Sequence, residues 1–249
     1  MPLSLDKIQQ AAPELAPLAQ KAITSLADIG LTGHKAKVAL VLDYSGSMKN
    51  EYDRTKSMQK LAEKALVLAT QFDDDGAIDV FLFDTTADHV GEITIDNYRG
   101  AIDRLRAGRH MGRTFYGKAV EEVRAYYGFA ESQKKRGFFS RKPRATALPV
   151  AEPIFVIFLT DGAPNDEAQA KLQLSLASKQ PIFFKFLSIG REEIPFLEKL
   201  DKMEGRFIDN ANYQAVGSVD RLTDDKLFGI LFEEYTDWLA LARENGLVR

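Results

Sequence analysis

A chain of 249 residues with 45% hydrophobic and 28% charged side chains has material for a buried core and a solvated surface, which excludes a disordered or fibrous protein. Lys and Arg total 33 against 36 Asp and Glu, a formal net charge of −3, so the whole molecule carries no electrostatic footprint for nucleic acid or anionic lipid. The absence of cysteine removes disulfides, thiolate metal sites and cysteine nucleophiles, and fits a reducing compartment.

The first ten residues, MPLSLDKIQQ, lack the basic and apolar regions of a secretory signal. The longest apolar runs, such as Ile154 to Leu159, fall far short of the roughly 18 residues a membrane span needs. The expected setting is therefore the cytoplasm, with no membrane span. Residues 5–29 place apolar side chains at three- and four-residue spacings interrupted by Pro13 and Pro17, the pattern of one or two short helices forming an N-terminal extension over 1–34. Lys37 to Asp43, KVALVLD, is an unbroken apolar run of strand length, as expected for a strand covered on both faces. A helical stripe from Met58 to Phe72 follows, closed by the acidic turn at 73–76.

The unit then repeats. Ile78 to Phe83 reads as a buried strand, His89 to Ile95 as a more polar strand at or near an edge, and Asn97 to Leu105 as a helix. Apolar positions from Phe115 to Tyr127 step in threes and fours. Pro153 to Thr160 is the most hydrophobic strand, followed by a helix over 165–179, a strand from Pro181 to Ile189, and a short helix from Ile194 to Met203. A last strand is expected at Arg206 to Ile208 and one long closing helix from Asp224 to Arg243. Strands alternating with helices of 10 to 20 residues imply an α/β fold, a doubly wound and mainly parallel sheet with helices on both faces, over 35–249. One insertion departs from that order: residues 131–149 carry about +5 and leave about −8 for the remainder, an exposed basic loop.

Ligands of an open parallel sheet collect beyond the carboxyl ends of its strands. The first strand ends in Asp43-Tyr44-Ser45-Gly46-Ser47, the strand of Ile154 to Thr160 runs on into Asp161-Gly162, and Gly112-Arg113-Thr114 precedes a helix between them. Two carboxylates and three small hydroxyls, with no histidine, cysteine or lysine beside them, form a shell for a hard cation. Mg²⁺ prefers an octahedron of oxygens at about 2.0–2.1 Å and takes only one or two protein carboxylates. Ser45, Ser47 and Thr114 can bind it directly, while Asp43 and Asp161 can bind it or hold its waters. Gly46 is expected to let the backbone turn so that both serines face one point. The alternative is that Asp43 and Ser45 cap the helix that follows. Two carboxylates against a dication leave a nearly neutral shell, open to one further anion.

In their order, DYSGSM, GRT and LTDG resemble the metal-ion-dependent adhesion site of von Willebrand factor type A (vWA) domains. The runs AKVALVLDYSGSMKNEY, QFDDDG and TSLADIGLTGHKAKV are similar to the TerF-like bacterial members associated with tellurium resistance. The resemblance implies a Rossmann-like vWA fold and a Mg²⁺ site, with Mn²⁺ second and Ca²⁺ third. It makes Ser45 and Ser47 direct ligands, Thr114 a ligand that engages when the site is filled, and Asp43 and Asp161 carboxylates acting mostly through water. It further implies a non-enzymatic module of a stress or tellurite-resistance system, whose cation accepts an Asp or Glu carboxylate from another protein. Where the family often has a second glycine before the threonine, this chain has Arg113, which either reinforces binding of an acidic partner or faces solvent.

Other signals take plainer readings. His34, His89 and His110 have no partners at metal or triad spacing and are expected in surface or turn roles. Asp84 is expected to form a turn, with a place beside the cation shell as the alternative. No phosphate loop, dinucleotide fingerprint or nucleophile elbow is present. Two competing functions remain open: a metal-dependent phosphoryl-transfer or hydrolytic enzyme, weakened by the lack of a base, and nucleic-acid binding through the basic loop.

Overall fold

The computed structural model describes residues 3–72, 76–130, 152–190 and 193–249. The acidic turn at 73–75 and the basic stretch at 131–149 lie outside the described residues.

Six strands form one sheet: β1 (Lys37–Asp43), β2 (Ile78–Phe83), β3 (Ala87–Ile93), β4 (Ile154–Thr160), β5 (Ile182–Ile189) and β6 (Ala211–Gly217). Their spatial order is β3-β2-β1-β4-β5-β6, and only β3 runs antiparallel. The central strands are mostly apolar because both faces are covered, and alternation divides their side chains between two cores. Leu40, Leu42, Val80, Leu82, Ile157, Leu159 and Leu187 face one layer of helices. Val41, Phe81, Phe83, Val156, Phe158, Phe184 and Phe186 face the other.

The first layer contains α1 (Leu5–Ala11), α2 (Ala16–Asp28), α3 (Lys49–Asp53), α4 (Ser57–Phe72), α5 (Ala101–Leu105), α9 (Asp224–Phe232) and α10 (Tyr235–Glu244). The second contains α6 (Tyr116–Tyr126), α7 (Glu167–Ala177) and α8 (Pro195–Asp201). Pro13 opens a single 3-10 turn between α1 and α2. The N-terminal helices share the first core through Ile8, Leu15, Ala19, Ala22 and Leu26, and the Leu3 amide donates to the Thr70 carbonyl at 2.8 Å. Among the described residues no helix is long and apolar enough to cross a membrane.

Three expectations need correction. The last strand is not Arg206 to Ile208 but β6, and Arg206 instead turns its guanidinium back onto the carbonyls of Asp201 and Met203. The segment ANYQAVG is half-polar because it is an edge strand, which hid it from a search for apolar runs. The closing helix is two helices, broken where Glu234 takes a left-handed φ of 63°. Of the three histidines only His110 is exposed in a loop. His34 packs edge-on to Phe72 and sits 2.9 Å from the Tyr235 hydroxyl. His89, on β3, pairs with Asp79 at 3.1 Å and stacks on Tyr126. Burial opposes ionisation of Asp79, but the hydrogen bonds from His89, Tyr127 and Tyr126 outweigh it and hold the carboxyl below its ordinary range.

Candidate metal centre

The strand order turns back between β1 and β4, the position where the loops of neighbouring parallel strands diverge and leave a crevice. Asp43 ends β1 and Thr160 ends β4, so both are delivered to that crevice by two adjacent central strands.

Asp43 is fully buried, 0% exposed. Its Oδ1 accepts the Ser45 amide at 2.8 Å and its Oδ2 accepts the Thr160 hydroxyl at 2.6 Å. From Ser45, which is extended, the chain enters a 3-10 turn over Gly46–Met48, and the two serine hydroxyls come within 3.1 Å of each other. Ser47 Oγ then donates to Asp161 Oδ1 at 2.8 Å. Three oxygens from two distant parts of the chain are thus linked in series from buried Ser45 to exposed Ser47 and half-buried Asp161, with Ser45 also bonded through its amide to the buried Asp43 carboxylate.

The third segment arrives through its backbone. Gly46 N donates to the Gly112 carbonyl and Gly112 N to the Tyr44 carbonyl, each at 3.3 Å, an isolated parallel bridge beside the serine loop. Gly112 is required there, because a Cβ would lie 2.7 Å from Thr85 Oγ1 and 3.1 Å from Asp84 Cβ and the Thr85 amide nitrogen. The expected role of Gly46 is corrected by the same test: its φ is not left-handed and a Cβ would meet nothing within 4 Å. The bare atom in this loop is needed at Gly112, where two backbones approach, and not between the serines.

Thr114 is held by Asn165, whose amide nitrogen donates to the Thr114 carbonyl at 2.7 Å while its Oδ1 accepts the Thr114 amide at 3.1 Å. Among the described residues the Thr114 hydroxyl makes no hydrogen bond to the two serines or the two aspartates. The structure therefore brings Asp43, Ser45, Ser47 and Asp161 into one hydrogen-bonded set and places Thr114 beside it through the main chain. Asp84 bonds the Thr86 amide at 2.6 Å and forms a turn, as expected.

Four supporting residues were not legible in the sequence. Thr160 orients Asp43; the Tyr116 hydroxyl lies 3.1 Å from Thr160 Oγ1 and donates to the Gly162 carbonyl. The Tyr52 hydroxyl donates to the Asp43 carbonyl at 2.9 Å, with its ring edge-on to Tyr44. Asn165 clamps Thr114. Two of the four are tyrosines in helical stripes and read as plain core residues. Thr160 reads in the sequence as the end of an apolar strand, and Asn165 as the first residue of the helix expected over 165–179.

The electrostatics leave the site short of positive charge. Burial pushes Asp43 up to about 6 against the opposing hydrogen bonds of Thr160 and Ser45, and the neighbouring Asp161 charge adds to the rise. Burial also raises Asp161 above its ordinary value. Neither carboxylate has an ion-pair partner among the described residues. A dication would offset the cost of holding both charges in this crevice. The donor set fits one: neighbouring oxygens of an octahedron with bonds of about 2.0–2.1 Å stand about 2.9 Å apart, and the observed spacings are 3.1 Å between the serine hydroxyls and 2.8 Å from Ser47 to Asp161. These oxygens are close enough to share hydrogen bonds, and the same spacing suits them to one ion.

A groove of about 360 Å³ adjoins Asp161, lined by Gly162, Ala163, Ile189, Gly190, Ile194 and Pro195 among others. Arg113, between Gly112 and Thr114, is exposed.

Comparison with known proteins agrees with this architecture. A family model described as vWA-TerF-like, the vWA found in the TerF C terminus, matches residues 35–248. Over 223 residues the chain is 33% identical to the uncharacterized protein YcbR of Bacillus subtilis (strain 168), covering 88% of this chain and 84% of YcbR. Among solved structures it is similar to proximal thread matrix protein 1 of the mussel byssus with a zinc-occupied MIDAS motif, with a TM-score of 0.53 and 17% identity over 85% of this chain and 51% of that one. A second crystal form of the byssus protein gives a TM-score of 0.50 at 17% identity, covering 88% of this chain and 51% of that one. The chain spans about half the length of those solved chains, and at that identity the likeness concerns the fold alone. The match along 35–248 shows that the chain belongs to the TerF-like vWA family.

Proposed function

We propose that this chain is a divalent-cation-dependent protein-binding domain. Asp43, Ser45, Ser47, Thr114 and Asp161 hold the cation, and the position they leave open takes an Asp or Glu carboxylate from another protein. The observation that carries this reading is the linked set of Ser45, Ser47 and Asp161 oxygens at octahedral spacing beside a buried carboxylate that has no ion-pair partner among the described residues. The cation supplies a positive centre for an incoming anion. The chain's own residues orient that centre: Thr160 and the Ser45 amide fix Asp43, and Asn165 fixes the Thr114 backbone.

Mg²⁺ suits a small set of hydroxyls and two acids, Mn²⁺ accepts the same ligands, and Ca²⁺ asks for more oxygens than five side chains provide. The bound zinc named for the byssus protein is a property of that protein, and its fold is the ground on which a divalent ion is carried over to this proposal. The family description, with its reference to TerF, supports placing the module in a bacterial stress or tellurite-resistance system acting in the cytoplasm.

A hydrolytic use of the same ion requires a general base. Among the described residues no histidine or lysine is hydrogen-bonded to Asp43, Ser45, Ser47 or Asp161, which favours binding over turnover. Calorimetric titration with Mg²⁺ and Mn²⁺ tests the reading. One ion is expected per chain, with binding lost in Ser47→Ala and Asp161→Asn; equal binding by both variants and the native chain overturns it.

A further inference from the structure

We propose that the partner presents two acidic side chains close together, one for the cation and a second for Arg113 and Lys118. The inference rests on the reading above and extends it to the chemistry of the partner. Arg113 is one residue from Thr114 and one from Gly112, the residue bridged to the serine loop. Its amide donates to Thr85 Oγ1 at 3.2 Å, which fixes the main chain, while its guanidinium makes no ion pair or hydrogen bond among the described residues and is exposed. Lys118, one turn into α6, donates its ammonium to the Thr85 carbonyl at 2.5 Å and lies 4.4 Å from the centre of the Phe115 ring. No carboxylate partners it among the described residues. Two cations are therefore tied, one by its backbone and one by its head group, to the same Thr85 turn at the edge of the metal centre.

Several cations of the preceding segments are paired within the chain. Arg106 is paired with Asp53 and Asp103, Arg109 with Asp88, Lys49 with Asp53 and Lys56 with Asp103. Of the acids close by, Asp84 spends its carboxylate on the Thr86 amide and hydroxyl, and Asp166 faces the backbone amides that open α6. Two cations that no carboxylate pairs among the described residues thus stand on the Thr85 turn, next to Thr114 of the proposed metal centre. An anion already held at the ion brings a second one within reach of Arg113 and Lys118 at little further entropic cost. A neutral or cationic flank would leave both cations unmatched. An acidic protein segment is the occupant that satisfies both the ion and this flank.

The test uses the full chain with saturating Mg²⁺, whose loading is verified by calorimetry, and two acetylated and amidated synthetic peptides. One carries a single Asp among glycines and the other an Asp followed two residues later by Glu. Binding is read by NMR shifts at low and at 0.5 M salt. Exposed charge-assisted contacts contribute about 0.2–1 kcal/mol each, so the second peptide is expected to bind about three- to tenfold more tightly, with the advantage reduced at high salt and abolished in Arg113→Gln/Lys118→Gln. Single-acid binding without any advantage for the second acid, or an advantage unchanged in the double variant, overturns this proposal and leaves the cation reading standing. No binding of either peptide to the Mg²⁺-loaded chain overturns both. Inorganic phosphate that competes at these two cations more strongly than the second peptide overturns the acidic-segment assignment.

Discussion

Thr160 donates its hydroxyl to the Asp43 carboxylate at 2.6 Å, joining the ends of β4 and β1 where the strand order turns back. Among the described residues Asp43 has no ion-pair partner, so this bond and the Ser45 amide set the direction of its oxygens. Replacing a supporting hydrogen bond of this kind weakens metal binding by about 10- to 100-fold. Thr160→Val keeps the shape of the side chain and is expected to lower Mn²⁺ affinity by about tenfold with an unchanged circular dichroism spectrum; native affinity in this variant would show that Asp43 is oriented by something else.

Gly112 and Gly46 should respond differently to the same substitution. A methyl group at 112 meets the Thr85 backbone and side chain at 3.1 and 2.7 Å, whereas one at 46 meets open space. Overpacking against backbone costs about 1–3 kcal/mol, so Gly112→Ala should lower the unfolding free energy measured in urea by that amount. Gly46→Ala should stay within about 0.5 kcal/mol of the native chain. Equal effects would contradict the assignment of the close approach to Gly112.

Tyr52 supports the floor of the site from the helix side. Its buried hydroxyl donates to the Asp43 carbonyl at 2.9 Å, and a bond of this type contributes about 1 kcal/mol. Tyr52→Phe is expected to lose about that much unfolding free energy in urea. No loss would mean that the carbonyl finds another donor.

His34 gives the fold a defined response to acid. Burial, assisted by the Arg243 charge, holds its pKa down at about 4, against 6.5 for the free side chain. The unfolded chain therefore binds this proton more readily than the folded one, and the stability that His34 contributes is complete above pH 6.5 and lost as the pH falls toward 4. The raised Asp43 acts in the opposite sense over part of that range, so the contribution is read as a difference. Between pH 7 and 4.5 the native chain should lose more stability than His34→Phe. Parallel losses would show that His34 is accessible to protons in the fold.

The sequence made most of the sheet legible because parallel strands covered on both faces are written as continuous apolar runs, as in KVALVLD and IFVIFLT. β6 was missed for the complementary reason: at an edge, Asn212 and Gln214 are tolerated and the apolar signal fades. The break before Tyr235 could not be read, since Glu234 adopts a backbone conformation that its residue type does not announce. Within the candidate site, Asp43, the serines flanking Gly46, Thr114 in GRT and Asp161 in LTDG were visible from short motifs in the sequence. Thr160, Tyr52, Tyr116 and Asn165 act through hydroxyl and amide groups whose partners lie far away in the chain, as with the 117 residues between Thr160 and Asp43, and spacing along one chain carries no record of such pairs.

An anomalous difference map from crystals soaked in Mn²⁺ would locate the ion itself. It is expected to show one strong peak bonded to the hydroxyl oxygens of Ser45 and Ser47, with Thr114 and Asp161 in its coordination shell and one vertex facing solvent. A well-diffracting soaked crystal with no peak at this crevice, or with that vertex filled by one of the chain's own side chains, would contradict a cation site open to a partner's carboxylate.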